Sequence, residues 1–509
     1  MDNIIMLILL SIAILIYFKN NPAGHDKKFI WRRFLNWFPL GLSYAFLYMA
    51  RYNLTVSKTA LGNLMTKEDF GLIFGVGALV YGFSFLINGP LVDRIGGKKG
   101  MIIGMTGATV ANIAMGFVIY KILYSGLRLN LTQLFCILYG VNMYFQSYGA
   151  VSIVKVNAPW FHVRERGIFS GIFGTLISLG IYFAFDWGGA IVKAVSVNLK
   201  PGTYLDPIQN FLRGLTGAAA GPVNQIWYVF YIPALLLAAF IIINLLLIKD
   251  TPSEAGLKDF DTLDASSGEM DQKFSTLQIF KKILTNPIIL TICAIEFCSG
   301  VIRNGIMHWY FIFAAENKAV IGTAALWFKD HWGMLLCLAG ISGGFIAGIV
   351  SDKLFHSRRG PSAAFMYFSM FAAVLYMAFA LYKNQYILGG LMVFISLCVI
   401  GVHGLLSGTA TMDFGGRKGA ATAVGVIDGF VYLGTGFQSI ALGKLTTMNW
   451  NYWPWFLLPF TLIGFFLAIK IWHAIPDAMR KKKPADITSQ LEEIKKQNIN
   501  NLEKIPGRT

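Results

Sequence analysis

Two arginines interrupt long apolar stretches. Arg51 lies in PLGLSYAFLYMARYNLTVSKTALGNL and Arg303 in IILTICAIEFCSGVIRNGIMHWYFIF, 252 positions apart. A guanidinium at bilayer depth costs about 2.5–3.5 kcal/mol on insertion scales, so a chain that keeps one gives it a cavity or a partner. The plain alternative is an arginine that snorkels at a helix end or pairs with a nearby carboxylate. Two at matching places argue for a shared task. A planar guanidinium grips phosphate or carboxylate with two parallel hydrogen bonds, so the chemistry indicated is the carriage of an anion. Tyr44 and Tyr48 are seven and three residues before Arg51, on one helical face with it. Membrane tyrosines more often anchor at the interface or pack in the core. Here the face shared with Arg51 assigns both to the site.

Carboxylates also stand at bilayer depth. Glu296 is seven residues before Arg303, on the same face and about 10 Å away by helix rise. Asp428 interrupts GVIDGFVYLG, and His403 lies in another apolar run. Intramembrane ionisable groups are functional candidates by default. The alternative is an acid that is protonated or hydrogen-bonded between packed helices.

The elements that must position these residues follow from composition. The 509 residues are 55% hydrophobic and only 14% charged, with a mean hydropathy of +0.58. That is too little charge for the surface of a soluble protein of this length. Apolar runs long enough to span a bilayer recur at about 36–60, 69–89, 101–120, 132–153, 167–186, 227–248, 287–314, 331–350, 363–382, 386–409, 420–440 and 452–474. The expected fold is an all-α polytopic membrane protein with two six-helix halves. A shorter run, 4–18, precedes them. Asp2 before it and KNNPAGHDKK after it favour an uncleaved anchor with its N-terminus outside over a signal peptide.

The net charge of +17 could suggest nucleic acid. Its distribution points to topology instead. Most Lys and Arg fall on the side of the 94–99 loop, which makes that side cytoplasmic and places the C-terminus there. The five cysteines lie in apolar runs without CxxC or Cys/His metal spacing, so they read as small core residues. The sequence offers no metal cluster, nucleophile elbow or phosphate-cradling loop, so neither an enzyme nor a cofactor is indicated.

The chain divides into an N-terminal apolar segment (1–29), a first half (30–248), a polar linker (249–286), a second half (287–475) and a basic, polar tail (476–509). The halves repeat. GPLVDRIGGKK (89–99) is matched by GIVSDKLFHSRRG (348–360), and RERGIFSGIFG (164–174) by GRKGAATAVG (416–425). Gly167 and Gly419 keep the same 252-residue offset as the two arginines. Parallel repeats of this kind place a site at the midplane between them. Asp93, Arg94, Arg164, Glu165, Asp352 and Lys353 then stand at helix ends on one side. Pairs among them would hold a cytoplasmic gate, or else serve only to fix topology.

The paired loops resemble those of the major facilitator superfamily. The 30–475 region is similar to its organophosphate:phosphate antiporters, the glycerol-3-phosphate and hexose-phosphate carriers. The residues that carry this are Tyr44, Tyr48, Arg51 and Asn53, YGFS (81–84), WFxxRERG (160–167), DTPSEAGL (250–257), the run from Arg303 to Trp309, SDKLFHSRRG (351–360) and YLGTG (432–436). The resemblance implies that Arg51 and Arg303 grip the phosphoryl group. It implies that Tyr44, Tyr48, Tyr81, Gln146 and Tyr432 surround it. The departures are Tyr52 and Phe85 where the family pattern has lysines, Leu176 where the glycerol-phosphate type has a histidine, and AVSIV (150–154) in place of WPPxG. Glu296 and Asp428 are additions.

The function expected from the resemblance is exchange of a phosphorylated metabolite for inorganic phosphate, by a monomeric multi-pass protein of a bacterial inner membrane. Two readings stand beside it. If the added acids neutralise the cavity, a proton-coupled symporter of an organic anion is the better account. The extra helix would also suit a transporter-like sensor of a sugar phosphate.

Overall fold

Successive apolar helices, several of them ended by glycine, asparagine or charge, pack together as a bundle. The computed structural model describes residues 2–162, 165–199, 202–260, 262, 281, 284–355, 358–410 and 420–474. The long helices are α1 (Asp2–Lys19), α2 (Lys27–Leu61), α3 (Lys67–Ile95), α4 (Gly97–Leu123), α5 (Leu131–Asn157) and α6 (Arg166–Tyr182). After these come α7 (Tyr228–Leu247), α8 (Pro287–Glu316), α9 (Trp332–Ile349), α10 (Arg359–Ala380), α11 (Gln385–His403), α12 (Ala420–Met448) and α13 (Tyr452–Lys470). The sequence spans thus correspond to α2–α13. The 4–18 run is α1.

Caps set the starts of several helices. Asp26 accepts from the Phe29 amide at α2, and Asn286 from Ile288 and Ile289 at α8. Thr66 and Asp69 close a reciprocal capping box at α3. Asn384 accepts from Tyr386 and Ile387 at α11. Among the described residues, ten helices are long and apolar enough to cross a membrane by hydropathy alone. The helices α2, α5 and α12 are not among those ten. They are the ones that carry Arg51, Gln146 and Tyr432.

The two halves meet where small residues let backbones approach. A side chain at Gly71 of α3 would run into the backbone of Ser439 and Gly443 in α12, and Gly82 lies against Gly429 and Tyr432. Polar links between the halves cluster at the end where α2 passes into α3. Lys58 and Lys67 both pair with Glu316, at 2.9 and 3.1 Å. Asp186, in the π-helical turn Phe183–Trp187 that prolongs α6, accepts from the Gly333 and Met334 amides at 2.7 and 3.0 Å. It therefore caps the N-terminus of α9 from the opposite half. At the other end, the pairs Asp93–Lys155 and Arg33–Glu165 each lie within the N-terminal half. Between described residues, every ion pair that joins the halves sits at the Glu316 end. The bundle is latched there.

Helix α1 is fastened at both of its ends. The Tyr17 hydroxyl donates to the Ile30 carbonyl at 2.7 Å and accepts from Arg33 Nε at 3.1 Å. At the far end Asn3 accepts from the Tyr182 hydroxyl and the Trp187 indole, and Asp2 pairs with His331. Cleavage after the apolar run would remove all of these contacts. Mass spectrometry of the extracted protein is therefore expected to find the 4–18 run retained. A start near residue 24 would show that the helix is a removed signal.

Candidate functional site

The site grows from the orientation of α2. Asn112 and Asn142 each donate to the Ala50 carbonyl, both at 3.1 Å, and Asn53 donates to Asn112 at 2.8 Å. This buried amide cluster fixes the rotation of α2 and turns Arg51 away from it. The Tyr139 hydroxyl adds a 3.2 Å bond to the Arg51 carbonyl. On the opposite side, Gly180 of α6 lies against Ala45 and Tyr48, where a Cβ would come within 2.8 Å of Tyr48. That close approach holds Tyr48 in place.

Arg51 is wholly buried. Its Nη2 donates to the Tyr81 hydroxyl at 3.0 Å and to Gln146 Oε1 at 3.1 Å. Its Nη1 donates to the Tyr432 hydroxyl at 3.2 Å. Gln146 is aimed by its own amide, which donates to the Leu47 carbonyl at 2.9 Å. The guanidinium also lies 4.7 Å from the Tyr48 ring centre and 4.4 Å from that of Tyr81. Every one of these partners is uncharged. The cation is solvated by dipoles and π-faces and keeps its full charge.

Arg303 comes from the other half and meets the same tyrosines. Its neighbours are Tyr52, Tyr48 and Tyr432. Tyr48, Tyr52 and Tyr432 also border Arg51. The bundle thus brings together both arginines, Tyr48, Tyr81, Gln146 and Tyr432. Tyr44 stacks edge-on against Tyr48 at 5.2 Å, one turn further along α2. The placement of Arg303 depends on contact between α8 and α12. Gly300 and Gly434 lie against the carbonyls of Val431 and Phe297, leaving no room for side chains.

The acids belong to the Arg303 side. Glu296 is buried, and its Oε2 is 3.0 Å from His403 Nδ1. Asp428 accepts from the Ser407 hydroxyl at 2.5 Å.

Among the described residues, the gate candidates Asp93 and Glu165 pair with different partners. Asp93 accepts from Lys155 at 2.9 Å in an exposed pair, which is worth little by itself. Arg94 and Lys353 are exposed. Arg164 lies outside the described residues, as does the side chain of Asp352. Glu165 differs most from the gate expectation. It is buried against Arg33, with bonds of 2.9 and 3.0 Å, inside its own half. The reason is electrostatic: Arg33 is sealed under Trp160 and Phe161, and Glu165 neutralises it there.

Other residues of the site region escaped sequence reasoning. His308 of α8 bonds to the Thr55 hydroxyl at 2.8 Å, across the halves, and its Nε2 has no partner among the described residues. Arg33, Lys58, Asp186 and Glu316 are likewise not singled out by sequence. No local spacing reveals their partners.

A bundle of two helical sets around buried cations defines a membrane transporter. The Major Facilitator Superfamily model matches residues 40–439, and the chain belongs to that family. It is 24% identical to the probable hexose phosphate transport protein of Chlamydia pneumoniae, over 90% of this chain and 94% of that protein. It is 26% identical to the membrane sensor protein UhpC of Salmonella typhimurium, over 89% and 92%. It is 24% identical to the glycerol-3-phosphate transporter of Bacillus subtilis, over 81% and 85%. In fold it matches a bacterial homologue of the lysosomal transporter Spinster, solved inward-facing and unoccupied, with a TM-score of 0.61 at 15% identity. That match covers 88% of this chain and 98% of the other.

Two outcomes follow from the geometry. Arg51→Lys removes the fork that reaches Tyr81, Gln146 and Tyr432 together, and a charged hydrogen bond is worth about 1.5–3 kcal/mol. Anion uptake into proteoliposomes should fall at least about tenfold, close to the loss in Arg51→Ala; wild-type uptake in the lysine variant would contradict this. Glu165→Ala strands the buried Arg33 cation at a cost of about 3–5 kcal/mol. Thermal unfolding in detergent should shift sharply downward. An unshifted transition would show that the pair is not a structural pin.

Proposed function

We propose that this chain is a secondary transporter that moves a phosphorylated small metabolite in exchange for inorganic phosphate, by alternating access. The observation that carries the reading is the Arg51 guanidinium. It is buried among uncharged partners, and it shares Tyr48, Tyr52 and Tyr432 with Arg303. Two cations in a low-dielectric bundle are costly when empty. A phosphoryl dianion offsets both charges, and the tyrosine hydroxyls can turn to donate to its remaining oxygens. Because Tyr432 reaches Arg51 from the opposite half, a bound anion joins the two halves. Rocking is then easiest with the site filled, which is the electrostatic basis of exchange. The names of the relatives support a sugar-phosphate or glycerol-phosphate substrate class.

The Glu316–Lys58–Lys67 cluster is the outer gate in this reading. The Asp93–Lys155 pair is assigned to the inner one, to which the sequence also assigns Arg94, Arg164, Asp352 and Lys353. Orientation rests on the bias of basic loops, which places the C-terminus in the cytoplasm of a bacterial cell with the bundle in its inner membrane. The protein works as a monomer among lipids, performs no covalent chemistry and binds no nucleic acid.

The test is counterflow with purified protein. Liposomes preloaded with phosphate should take up labelled glucose 6-phosphate or glycerol 3-phosphate several-fold faster than empty ones. Saturable binding of these compounds without flux would favour the sensor reading, whose relatives are similarly close. Absence of both binding and flux would overturn the proposal.

A further inference from the structure

The two halves of the site are not chemically equal. The 252-residue offset that relates Arg51 to Arg303 sets Tyr44 against Glu296 and Leu176 against Asp428. The N-terminal half thus presents phenol and alkyl groups where the C-terminal half presents acids. Arg51 has only neutral partners. Arg303 has a carboxylate–imidazole pair nearby on its own side.

The geometry of that pair is specific. Glu296 is buried on α8, with Oε2 3.0 Å from His403 Nδ1. Its Oε1 has no hydrogen-bond partner among the described residues. The His403 side chain remains 26% exposed. It stands at the end of α11, where the helix passes into the π-helical turn Gly404–Ala410, a distortion common at functional sites. The charged groups that face His403 are Glu296 and Arg303 from α8 and Asp428 from α12. Around Glu296 the further titratable groups are Cys293 and Cys298 on α8 and Tyr367 on α10.

We propose that His403 and Glu296 form a proton-binding site that loads together with the anion held by Arg303. The inference rests on the anion-carrier reading above. Nδ1 is committed to Glu296, so the proton enters and leaves at Nε2. With the site empty, the Arg303 charge opposes a second cation beside it, while Glu296 and Asp428 support one. An anion on Arg303 removes that opposition, and the Glu296 carboxylate then favours the imidazolium. One proton is taken from solution as one anion binds, and both leave on the opposite side. No bond other than the N–H forms or breaks. By linkage, protons raise anion affinity by the same factor as the anion raises proton affinity. Glu296 and His403 are coupling residues here, and the anion itself is held by the arginines.

The experiment uses full-length protein in liposomes with the membrane potential clamped. Uptake of labelled phosphate and glucose 6-phosphate is measured with and without an inward pH gradient, in vesicles empty of exchangeable anion. One proton per anion supports about tenfold accumulation per pH unit, equivalent to roughly 1.4 kcal/mol. Wild type should approach this. H403Q and E296Q should abolish the gradient response while retaining exchange against internal phosphate. Exchange in wild type that ignores the gradient would overturn the proton site and leave the anion reading intact. Accumulation that persists in both variants would also overturn it. If wild type shows neither exchange nor uptake, the anion reading fails, and the proton site with it.

Discussion

A guanidinium inside an apolar bundle must be satisfied by groups that the bundle itself supplies, and the choice of those groups decides what the bundle can do. Arg33 and Arg51 lie eighteen residues apart on one helix, both buried. Arg33 is neutralised by Glu165 and serves as a pin. Arg51 receives phenol and amide oxygens and retains its charge. Hydrogen bonding satisfies its donors but leaves an electrostatic demand that only an anion can meet. The asparagine cluster behind Ala50, the aiming of Gln146 by Leu47 and the close seat of Tyr48 on Gly180 all keep that unneutralised charge facing the middle of the bundle.

The second constraint is that the partners of Arg51 come from both halves. Tyr81 and Gln146 belong to the first half and Tyr432 to the second. The helices that carry Tyr81 and Tyr432, α3 and α12, run along each other through Gly71, Gly82, Gly429 and Gly443. Small residues at this seam allow the halves to pivot without repacking large side chains. The ion pairs between the halves among the described residues, and the Asp186 cap, lie at one end. Motion about the seam would open that end and close the other, with the arginines near the pivot. The His308–Thr55 bond also crosses the halves and belongs to the same moving interface.

Much of this was legible in the sequence, for a physical reason. Membrane spans announce themselves by length and hydropathy, and a shared face on one helix follows from spacing. Hence Tyr44, Tyr48 and Arg51 could be grouped in advance. Tyr81, Gln146 and Tyr432 could not be reached by spacing, because they lie on other helices; the family resemblance pointed to them. Glu165 is expected at a gate from sequence, since a charge at a helix end looks the same whether it faces solvent or a buried partner 132 residues away. Asp186 gave no signal because its partners are backbone amides, which no residue type identifies. The His403–Glu296 pair was half visible: each residue stood out at bilayer depth, but their contact depends on how α8 and α11 pack.

The central claim is that one anion is held between Arg51 and Arg303. The most direct measurement is an experimental density map of the protein in lipid with a saturating sugar phosphate. The account predicts phosphoryl density between the two guanidinium groups, with the Tyr48, Tyr81 and Tyr432 hydroxyls around it. Phosphoryl density bound elsewhere, or contacting only one of the two arginines, would contradict it.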